Sequence, residues 1–586
     1  MEPNREDSLY ALRHSAAHLM AQAVGELFPG TKYAIGPPIE DGFYYDFDLP
    51  APIKEEDLPR IEERMRQIAG RDLPIVRREL TREEALDLCS KGEQAYKVEL
   101  VSELPDGEAI TFYSQGDWED LCRGPHVPST SAVAHFKLLN VAGAYWRGSE
   151  KNKMLTRLYG TAWLTAEELQ TYLDRLEEAK KRDHRKIGRD LGWFVFAGED
   201  IGPGIPLFLP KGEIIRHEME KYVRETQTRY GYQHVWTGHI VREDLYIKSG
   251  HYANYRDAMF PPMVDQEAGV SYRLKPMNCP SHMTLFNLSG LKSYRDLPVR
   301  YAEFATLHRY EKSGELSGLT RVRSLTQDDC HIFCTEEQIE QEFGLALKLI
   351  REVLGRYGFH HYRVRLSLRG EEPGGKFVAD DDKWGKATAA LRSALVANNV
   401  EFYEAAGEAA FYGPKADFMT KDVLGREWQL STIQVDFIQP GRLGCEYVDA
   451  NGERKTPVVL HRAVTGATER FLAVLIEDYA GDLPLWLAPV QVMVLPITDG
   501  QFAPAEATAS LLTEAGFRVE VDTRSERIGN KIRAAEMQKV PYMLVIGRRD
   551  VEAGVVSVRK RGEGDLGAMA PEALLAMLTA ERDKKL

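Results

Sequence analysis

The stretch EFATLHRYEKSGELSGLTRVRSLTQDDCHIF (residues 303–333) decides the fold of the longest part of the chain. It predicts a strand that ends at Glu311, a turn-rich loop at SGELSG, and a second strand that begins at Arg321. Alternate residues of a strand share a face, so Arg309 lies beside Glu311 on the first strand. On the second strand the residues that share a face are Arg321, Arg323, Gln327, Asp329 and His331. A row this polar predicts either the wall of a ligand-filled cleft or an exposed sheet face with cross-strand ion pairs.

Outward from this stretch, the pattern divides the 586 residues into an N-terminal α+β unit, a connector helix, a large central unit and a C-terminal α/β unit. This agrees with the roughly three or four domains expected for such a length. A capping box at Thr165 and Glu168 opens the charged connector helix. The C-terminal unit is predicted to have largely parallel strands. The four predicted segments are 1–165, 166–189, 190–486 and 487–586.

The composition is that of a globular chain, with 43% hydrophobic, 28% charged and 10% aromatic residues. No apolar run reaches the roughly 18–20 residues of a membrane helix, and the charged N-terminus is unlike a secretory signal. Six cysteines are too few and too scattered for a disulfide framework, so we expect a cytoplasmic location. The net charge of −14 argues against a protein that coats nucleic acid non-specifically.

Two local stretches are basic despite the acidic total. Residues 521–562 hold ten lysines and arginines against five acidic residues, and KKRDHRKIGR lies at 180–189. Solvated charge on a helix face explains such runs, and an RNA-binding surface is the alternative.

The N-terminal unit combines histidines with a cysteine. His14 and His18 lie four residues apart and share a helix face, and the later segment DLCRGPHVP adds Asp120, Cys122 and His126. Such residues are able to bind a metal, to act on a water molecule or to serve as structural histidines, and the residues alone leave all three open.

Several motifs of the central unit resemble a known family. They are KPMNCPSH (275–282), the quoted stretch 303–333, FYGPKADF (411–418), STIQVDF (431–437) and VVLHRAVTGATERF (458–471). Together they resemble the threonyl-tRNA synthetase family of class II aminoacyl-tRNA synthetases. The resemblance extends over essentially the whole chain. It implies an antiparallel-sheet catalytic domain between an N-terminal editing domain and a C-terminal anticodon-binding domain.

The resemblance also implies roles in binding ATP with Mg²⁺. Arg309 would contact the α-phosphate, Arg470 the adenine and the γ-phosphate, Arg321 the remaining phosphates, and Glu311 the adenine amino group. Guanidinium groups suit phosphate oxygens because they form paired hydrogen bonds. No P-loop motif occurs in the sequence, so a P-loop ATPase is not expected.

By the same resemblance, Cys279, His331 and His461 bind one Zn²⁺. Their separations of 52 and 130 residues would not by themselves indicate a metal site. Cys330 and Cys334 face away from His331 on the predicted strand, so we expect them to pack in the core. The pocket would be completed by Gln327, Asp329, Tyr412 and Gln434.

The implied substrate is L-threonine, whose amino and hydroxyl groups would both bind the metal. A site that must bind a hydroxyl rejects an analogue without it by roughly 10⁴–10⁵, which excludes valine. Serine lacks only a methyl group, which is worth roughly 10–200-fold, so a second, hydrolytic site is needed. In the family this site is the N-terminal unit, with water as the nucleophile and no catalytic metal. The matching residues are His14, His18, Lys97, Asp120, Cys122 and His126.

The C-terminal unit is expected to read the anticodon of tRNA(Thr), with Arg559 as the best-matched contact and Ser525, Lys539 and Asp550 as altered positions. The sequence departs from the family pattern at Gly238, Ser281 and Ser324–Leu325, and the small leading domain is expected to be absent. We expect a homodimer without membrane association.

Three other functions remain open at this point. One is a synthetase for proline, serine or histidine, which the Cys279, His331 and His461 set disfavours. Another is a non-catalytic paralogue that binds amino acid or tRNA as a regulator. The third is a protein specialised mainly for editing.

Overall fold

The computed structural model describes residues 4–370, 377–422 and 425–585. The chain forms two compact units, Met1–Glu177 and Glu178–Leu586, and each is described separately. The boundary between them falls within one continuous helix, Ala166–Arg182. The four predicted segments remain a prediction.

The first unit is built from two antiparallel sheets and a long buried helix. Its helices are α1 (Arg5–Leu27), α2 (Leu58–Ala69), α3 (Arg82–Lys91), α4 (Ala95–Glu103) and α5 (Ala166–Arg182), which runs past the boundary. Its strands are β1 (Lys32–Tyr33), β2 (Pro38–Ile39), β3 (Gly42–Asp48), β4 (Ile75–Leu80), β5 (Ile110–Gln115), β6 (Trp118–Leu121), β7 (His135–Tyr145) and β8 (Met154–Trp163). One sheet has the order β1-β3-β8-β7 with β2 on β3, and the other has the order β4-β5-β6.

Helix α1 is the predicted opening helix of this unit. The Asn4 side chain caps it by accepting a hydrogen bond from the Asp7 N–H at 2.9 Å. Every residue from Leu12 to Val24 is buried, so the helix is enclosed on all sides rather than amphipathic. Enclosure brings the polar side chains of its middle turns into the interior.

The second unit begins with the end of the connector and the central elements. Its helices up to residue 478 are α6 (His184–Asp190), α7 (Pro210–Arg229), α8 (Glu243–Ser249), α9 (His251–Tyr255), α10 (Cys279–Leu288), α11 (Ile339–Arg356), α12 (Asp381–Ala397), α13 (Gln439–Arg442) and α14 (Thr468–Asp478). The strands of its small peripheral sheets are β9 (Phe194–Phe196), β10 (Pro206–Phe208), β12 (Ile240–Arg242), β13 (Met263–Asp265), β14 (Val270–Leu274), β15 (Lys292–Ser293), β22 (Tyr447–Val448) and β23 (Arg454–Lys455).

One eight-stranded sheet organises the central region. Its strands are β11 (Gln233–His234), β16 (Val299–His308), β17 (Ser324–Cys334), β18 (Tyr362–Leu368), β19 (Phe402–Ala406), β20 (Lys415–Lys421), β21 (Glu427–Asp436) and β24 (Val458–Ala463). The order is β11-β16-β17-β24-β21-β20-β18-β19, antiparallel except for the outermost pair at each edge. Helices α7, α11, α12 and α14 contribute to the hydrophobic core against this sheet.

The two strands predicted from residues 303–333 are present, but their predicted limits are wrong. Strand β16 ends at His308 and β17 begins at Ser324, so Arg309, Glu311, Arg321 and Arg323 lie in the connection. The backbone N–H of Tyr310 donates to Ala258 O, and that of Arg323 donates to Gly204 O. One further bond, from Arg309 N–H to Arg323 O at 2.9 Å, continues the pairing, but Arg323 N–H does not return it, so the regular ladder stops there.

The C-terminal elements complete the second unit. They are β25 (Val492–Pro496), α15 (Phe502–Glu514), β26 (Val519–Val521), α16 (Ile528–Met537), β27 (Tyr542–Ile546), α17 (Arg548–Ala553), β28 (Val556–Lys560), β29 (Gly564–Met569) and α18 (Pro571–Lys584). The sheet order is β26-β25-β27-β28-β29. Only the first two pairings are parallel, so the prediction of largely parallel strands is wrong for β28 and β29. None of the helices in the described residues has the length and apolar character needed to cross a bilayer.

Candidate functional site

Cys279, His331 and His461 form a buried cluster in the second unit. Strands β17 and β24 are antiparallel neighbours, and their register places His331 directly opposite His461. Cys279 is the first residue of α10. One ligand atom from each of the three side chains lies within 4.8 Å of the others. Pairing of strands that are distant along the chain thus brings the three predicted residues together.

The hydrogen bonds around this cluster fit a metal ion. His331 Nε2 is buried and has no hydrogen-bond partner among the described residues, whereas its Nδ1 lies 2.8 Å from His282 Nδ1. His461 Nε2 lies 2.9 Å from Asp436 Oδ2, which leaves its Nδ1 as the ligand atom. An unpartnered buried imidazole nitrogen beside a thiol and a second imidazole is the donor set of a borderline-soft divalent cation.

Burial sets the protonation states of the cluster before any metal binds. It lowers the pKa of His331 well below the ordinary value, with the neighbouring His461 and His282 adding to the effect. Burial, together with the charges of Asp329 and Asp436, raises the pKa of Cys279. A cation would reverse the second effect by favouring the thiolate.

A cavity of about 360 Å³ opens beside the cluster. Cys279 and His461 contribute to its wall, and the predicted pocket residues that line it are Gln327, Asp329, Tyr412 and Gln434. Tyr412 O–H donates to Gln434 Oε1 at 2.5 Å, and its ring stacks on His461 at 4.8 Å. The cavity is small and polar, as a site for an amino acid would be.

Arg309, Arg321 and Arg470 form a cationic group next to this cavity. Arg309 lines both the first cavity and a second one of about 370 Å³, which Arg321 and Glu311 also line. Burial and the charges of Arg309 and Arg321 lower the pKa of Arg470, so the three guanidinium groups repel one another. Glu311 and Glu315 compensate part of this charge through ion pairs of 2.9 and 3.1 Å with Arg321. The remaining positive charge suits a polyanion.

The sequence analysis missed three residues of this region. Lys415 lines the first cavity. It lies directly opposite Gln434 in the β20–β21 register, so knowledge of that pairing would have pointed to Lys415 as a pocket residue. His251 also lines that cavity, and burial lowers its pKa to about 3, but no sequence pattern points to it. His282, which contacts His331, stands three residues after Cys279 in the quoted CPSH motif.

All six residues predicted for the N-terminal site lie together in the first unit. Cys122 Sγ is 3.0 Å from His14 Nε2 and 3.1 Å from His126 Nε2. The rings of His18 and His126 have centroids 4.3 Å apart. Lys97 and Asp120 form a buried ion pair of 2.7 Å beside them.

A cavity of about 380 Å³ is lined by five of the six residues, and apolar side chains form much of its remaining wall. Burial lowers the pKa of His14 to about 4 and that of His126 to about 3, and holds the pKa of His18 well below its usual range. Burial also raises the pKa of Cys122 to about 12. The site therefore presents neutral imidazoles and a neutral thiol, and the thiol is a weak nucleophile in that form. His14, His18, Cys122 and His126 also have ligand atoms within 4.8 Å of one another, a spacing that would suit a metal ion.

The predicted anticodon contacts have different surroundings in the C-terminal part. Arg559 lies on β28 and reaches Asp565 at 3.9 Å. Asp550 accepts hydrogen bonds from Gly547 N–H and Ser557 O–H at 2.7 and 2.8 Å, and Lys539 pairs with Asp482 at 3.2 Å. Ser525 lies in the loop before α16.

The positions that depart from the family pattern lie outside the lining of the central cavities. Gly238 is exposed in the loop before β12, and Ser281 lies in the first turn of α10. Leu325 packs with Ala305 and Leu307 on the neighbouring strand.

Known proteins match most of the chain. Residues 263–479 match the family described as tRNA synthetase class II core domain (G, H, P, S and T). Residues 491–581 match an anticodon binding domain, and residues 110–159 match the threonyl and alanyl tRNA synthetase second additional domain. Threonine–tRNA ligase from Rubrobacter xylanophilus is 66% identical, over 95% of this chain and 86% of its own length. The chain belongs to the threonine–tRNA ligase family.

Other members of the threonine–tRNA ligase family are also similar. The Thermus thermophilus threonine–tRNA ligase is 51% identical over 98% of this chain and 89% of its own length. A crystal structure described as the RNA binding domain of threonyl-tRNA synthetase from Cryptosporidium parvum has a TM-score of 0.64 at 36% identity, covering 68% of this chain and 98% of that one. The predicted family and fold class are confirmed, and the class II core match includes the Cys279, His331 and His461 cluster.

Proposed function

We propose that the chain is a threonine–tRNA ligase. It activates L-threonine with ATP to threonyl-adenylate, transfers the threonyl group to the 3′ end of tRNA(Thr), and hydrolyses mischarged seryl-tRNA(Thr) in its N-terminal unit. The observation that carries the proposal is the position of Arg309, which borders both the cavity beside the Cys279 cluster and the adjoining cavity that Arg321 and Glu311 line. An amino-acid carboxylate and an α-phosphate can therefore meet at its guanidinium group.

The three arginines supply the charge stabilisation of the activation step. Arg309 would contact the α-phosphate as the carboxylate attacks. Arg470 would hold the adenine and the γ-phosphate, Arg321 the remaining phosphates, and Glu311 the adenine amino group. Fixed positive charges in a partly buried site stabilise developing negative charge without reorganisation. ATP would enter with Mg²⁺, which shares the neutralisation of its phosphates.

We propose Zn²⁺ as the ion of the Cys279, His331 and His461 cluster. When bound, zinc with three protein ligands supplies open coordination positions for the amino and hydroxyl groups of threonine. Asp329, Gln327, Tyr412 and Gln434 orient the same groups from the cavity wall. Valine has no hydroxyl group to offer, so this arrangement selects against it.

The N-terminal site would remove serine by activating water. Neutral His14 and His18 can accept a proton from water at physiological pH. Cys122 is not the nucleophile because its thiol stays protonated. Lys97 and Asp120 hold the polar side of the cavity, and His126 orients Cys122.

Further parts of the proposal concern partners and location. Arg559 and its basic surroundings would bind the anticodon loop, whose unpaired bases are accessible to side chains.

Trp236, Ile240 and Val264 are 76, 55 and 58% exposed, which supports a homodimer interface around this segment. We propose the cytoplasm as the compartment, because none of the six cysteines, all within the described residues, is in a disulfide. The domain limits proposed are those predicted from the sequence.

The alternative of a non-catalytic paralogue has no observation in its favour, since Arg309, Arg470 and the cluster residues are all present.

Amino-acid-dependent exchange of pyrophosphate into ATP, measured with a panel of amino acids, tests the proposal. We expect exchange with threonine, weaker exchange with serine and none with valine or proline, from protein containing about one zinc per chain. Exchange with another amino acid and none with threonine would overturn the assignment.

A further inference from the structure

The buried side of His331 leads into a chain of hydrogen bonds that the proposed function does not use. His331 Nδ1 lies 2.8 Å from His282 Nδ1, and His282 Nε2 lies 3.0 Å from Glu303 Oε2. His282 and His331 are fully buried, and Glu303 is 3% exposed. The three residues come from α10, β16 and β17, so the connection depends on tertiary structure.

The hydrogen bonds that link His331, His282 and Glu303 have only one consistent direction if His331 Nε2 is a metal ligand. A neutral imidazole that gives one nitrogen lone pair to a metal carries its hydrogen on the other nitrogen. His331 Nδ1–H then donates to His282 Nδ1. His282 therefore carries its own hydrogen on Nε2, which donates to the Glu303 carboxylate.

Other donors fix Glu303 as the acceptor at the end of this series of hydrogen bonds. Thr237 N–H donates to Oε1 at 2.7 Å, and the Thr237 hydroxyl and Asn278 Nδ2 donate to Oε2 at 2.9 and 3.0 Å. Lys275 Nζ in turn donates to Thr237 Oγ1 at 2.7 Å and to Asn278 Oδ1 at 2.9 Å. The second bond orients the Asn278 amide so that its Nδ2 faces Glu303, and Nδ2 also lies 3.0 Å from His282 Nε2. Glu303 is thus the acceptor that Thr237 N–H, Asn278 Nδ2 and His282 Nε2 share. Burial alone would raise the pKa of Glu303, but these bonds and the Lys275 charge lower it to about 2.

We propose that His282 and Glu303 are positioning residues for the metal centre, and that they hold the His331 ring in the tautomer and orientation that present Nε2 to the ion. This inference rests on the proposed function, because it assumes that the cluster binds zinc. Outer partners of this kind fix ring orientation and raise ligand basicity, and their loss typically costs roughly 10- to 100-fold in metal affinity.

The test is the rate of zinc release to an excess of a chromogenic chelator, measured on the full chain. Glu303→Gln places an amide N–H₂ among donors that need an acceptor, and His282→Phe removes the link to His331. The matched control is Glu342→Gln, since Glu342 is a buried carboxylate on α11 that forms two hydrogen bonds of 2.6 Å with Arg300 of the same strand, β16. Thr237→Val is a milder variant that leaves both proposed residues in place.

We expect Glu303→Gln and His282→Phe to release zinc roughly 10- to 100-fold faster than the unmodified chain, and Glu342→Gln to release it at the unmodified rate. If Glu303→Gln and His282→Phe do not fold, Thr237→Val is expected to release zinc severalfold faster. A purely structural role would lower the melting temperature in Glu303→Gln and Glu342→Gln alike and leave both release rates unchanged. That result, or equal release from every folded variant, would overturn the inference. If the unmodified protein binds no zinc, that result overturns both this inference and the proposed function.

Discussion

The ammonium group of Lys97 lies 2.7 Å from Asp120 Oδ1, and the two side chains are only 5 and 6% exposed. Tyr45 O–H also donates to Asp120, and Lys97 donates to the Tyr45 oxygen at 3.1 Å. Desolvated charges of this kind are stable only while both partners are present. The pair joins α4 to the end of the second sheet at the wall of the N-terminal cavity.

Removing one charge of this pair is expected to disable the N-terminal site. Asp120→Asn leaves Lys97 buried without its counter-charge, which costs about 3–5 kcal/mol of stability. Displacement of the cavity wall should slow deacylation of seryl-tRNA(Thr) about 100-fold while threonine-dependent exchange continues. Asp46→Asn is the matched control, because Asp46 is a buried carboxylate that pairs with Arg157 in the same unit and is not among the residues that line the cavity. Normal deacylation by Asp120→Asn would contradict the expectation.

The N-terminal unit should lose stability as the pH falls below 6.5. A histidine of the unfolded chain binds a proton near pH 6.5, but in the folded unit the pKa is about 4 for His14 and about 3 for His126. Between these values the unfolded state binds more protons, so the free energy of unfolding decreases as the pH is lowered, by about 3 kcal/mol for His14 alone. Hydrogen exchange of the α1 amides at pH 7 and pH 4.5 measures this. Equal protection at both values would contradict the expectation, and His14→Phe should reduce the difference.

Metal removal should abolish threonine activation and spare ATP binding. The cluster faces the first cavity, whereas Arg321 and Glu311 line the second. After treatment with a chelator, we expect no threonine-dependent exchange, unchanged ATP affinity, and recovery on addition of Zn²⁺. Cys279→Ser should behave like the chelated protein and should not recover at equimolar zinc. Full exchange by metal-free protein would refute the assignment of the cluster.

His184 should affect ATP binding from outside both cavities. Its Nε2 accepts a hydrogen bond from Leu319 N–H at 3.0 Å, and its Nδ1 lies 2.6 Å from Glu477, which is on the same helix, α14, as Arg470. Loss of buried hydrogen bonds costs about 1–3 kcal/mol, so His184→Phe should raise KM for ATP about tenfold and leave KM for threonine unchanged. His217→Phe, at an exposed position on α7, is the control. A parallel rise in both KM values would indicate general loss of structure instead.

Arg559→Ala should weaken tRNA binding alone. The residue lies in the C-terminal sheet, and loss of one cationic contact should raise KM for tRNA(Thr) in the aminoacylation assay and reduce its dependence on salt. Pyrophosphate exchange, which needs no tRNA, should be unaffected. An unchanged KM for tRNA would remove Arg559 from the anticodon interface.

The sequence predicted the elements that local pattern controls. The helix that carries His14 and His18, the two strands that flank SGELSG, and the core positions of Cys330 and Cys334 were all expected, and the structure contains them. The strand limits were wrong because Arg323 N–H donates to Gly204 O, far along the chain, and does not return the bond that Arg309 N–H makes to Arg323 O. The antiparallel pairing of β28 and β29 was missed because alternation is the same in parallel and antiparallel strands.

By itself, the sequence determined the candidates for the chemistry, since motif resemblance pointed to Cys279, His331 and His461 and to the N-terminal histidines. Only the tertiary structure decided that these side chains meet. The three residues are 52 and 130 positions apart along the chain, and the pairing of β17 with β24 and the position of the first residue of α10 bring them together. Pairing between distant segments leaves no periodicity in the sequence, so no local pattern could show it. The pairing of β16 with β17 and the position of α10 brought Glu303 and His282 next to His331, and that contact too depends on segments distant along the chain.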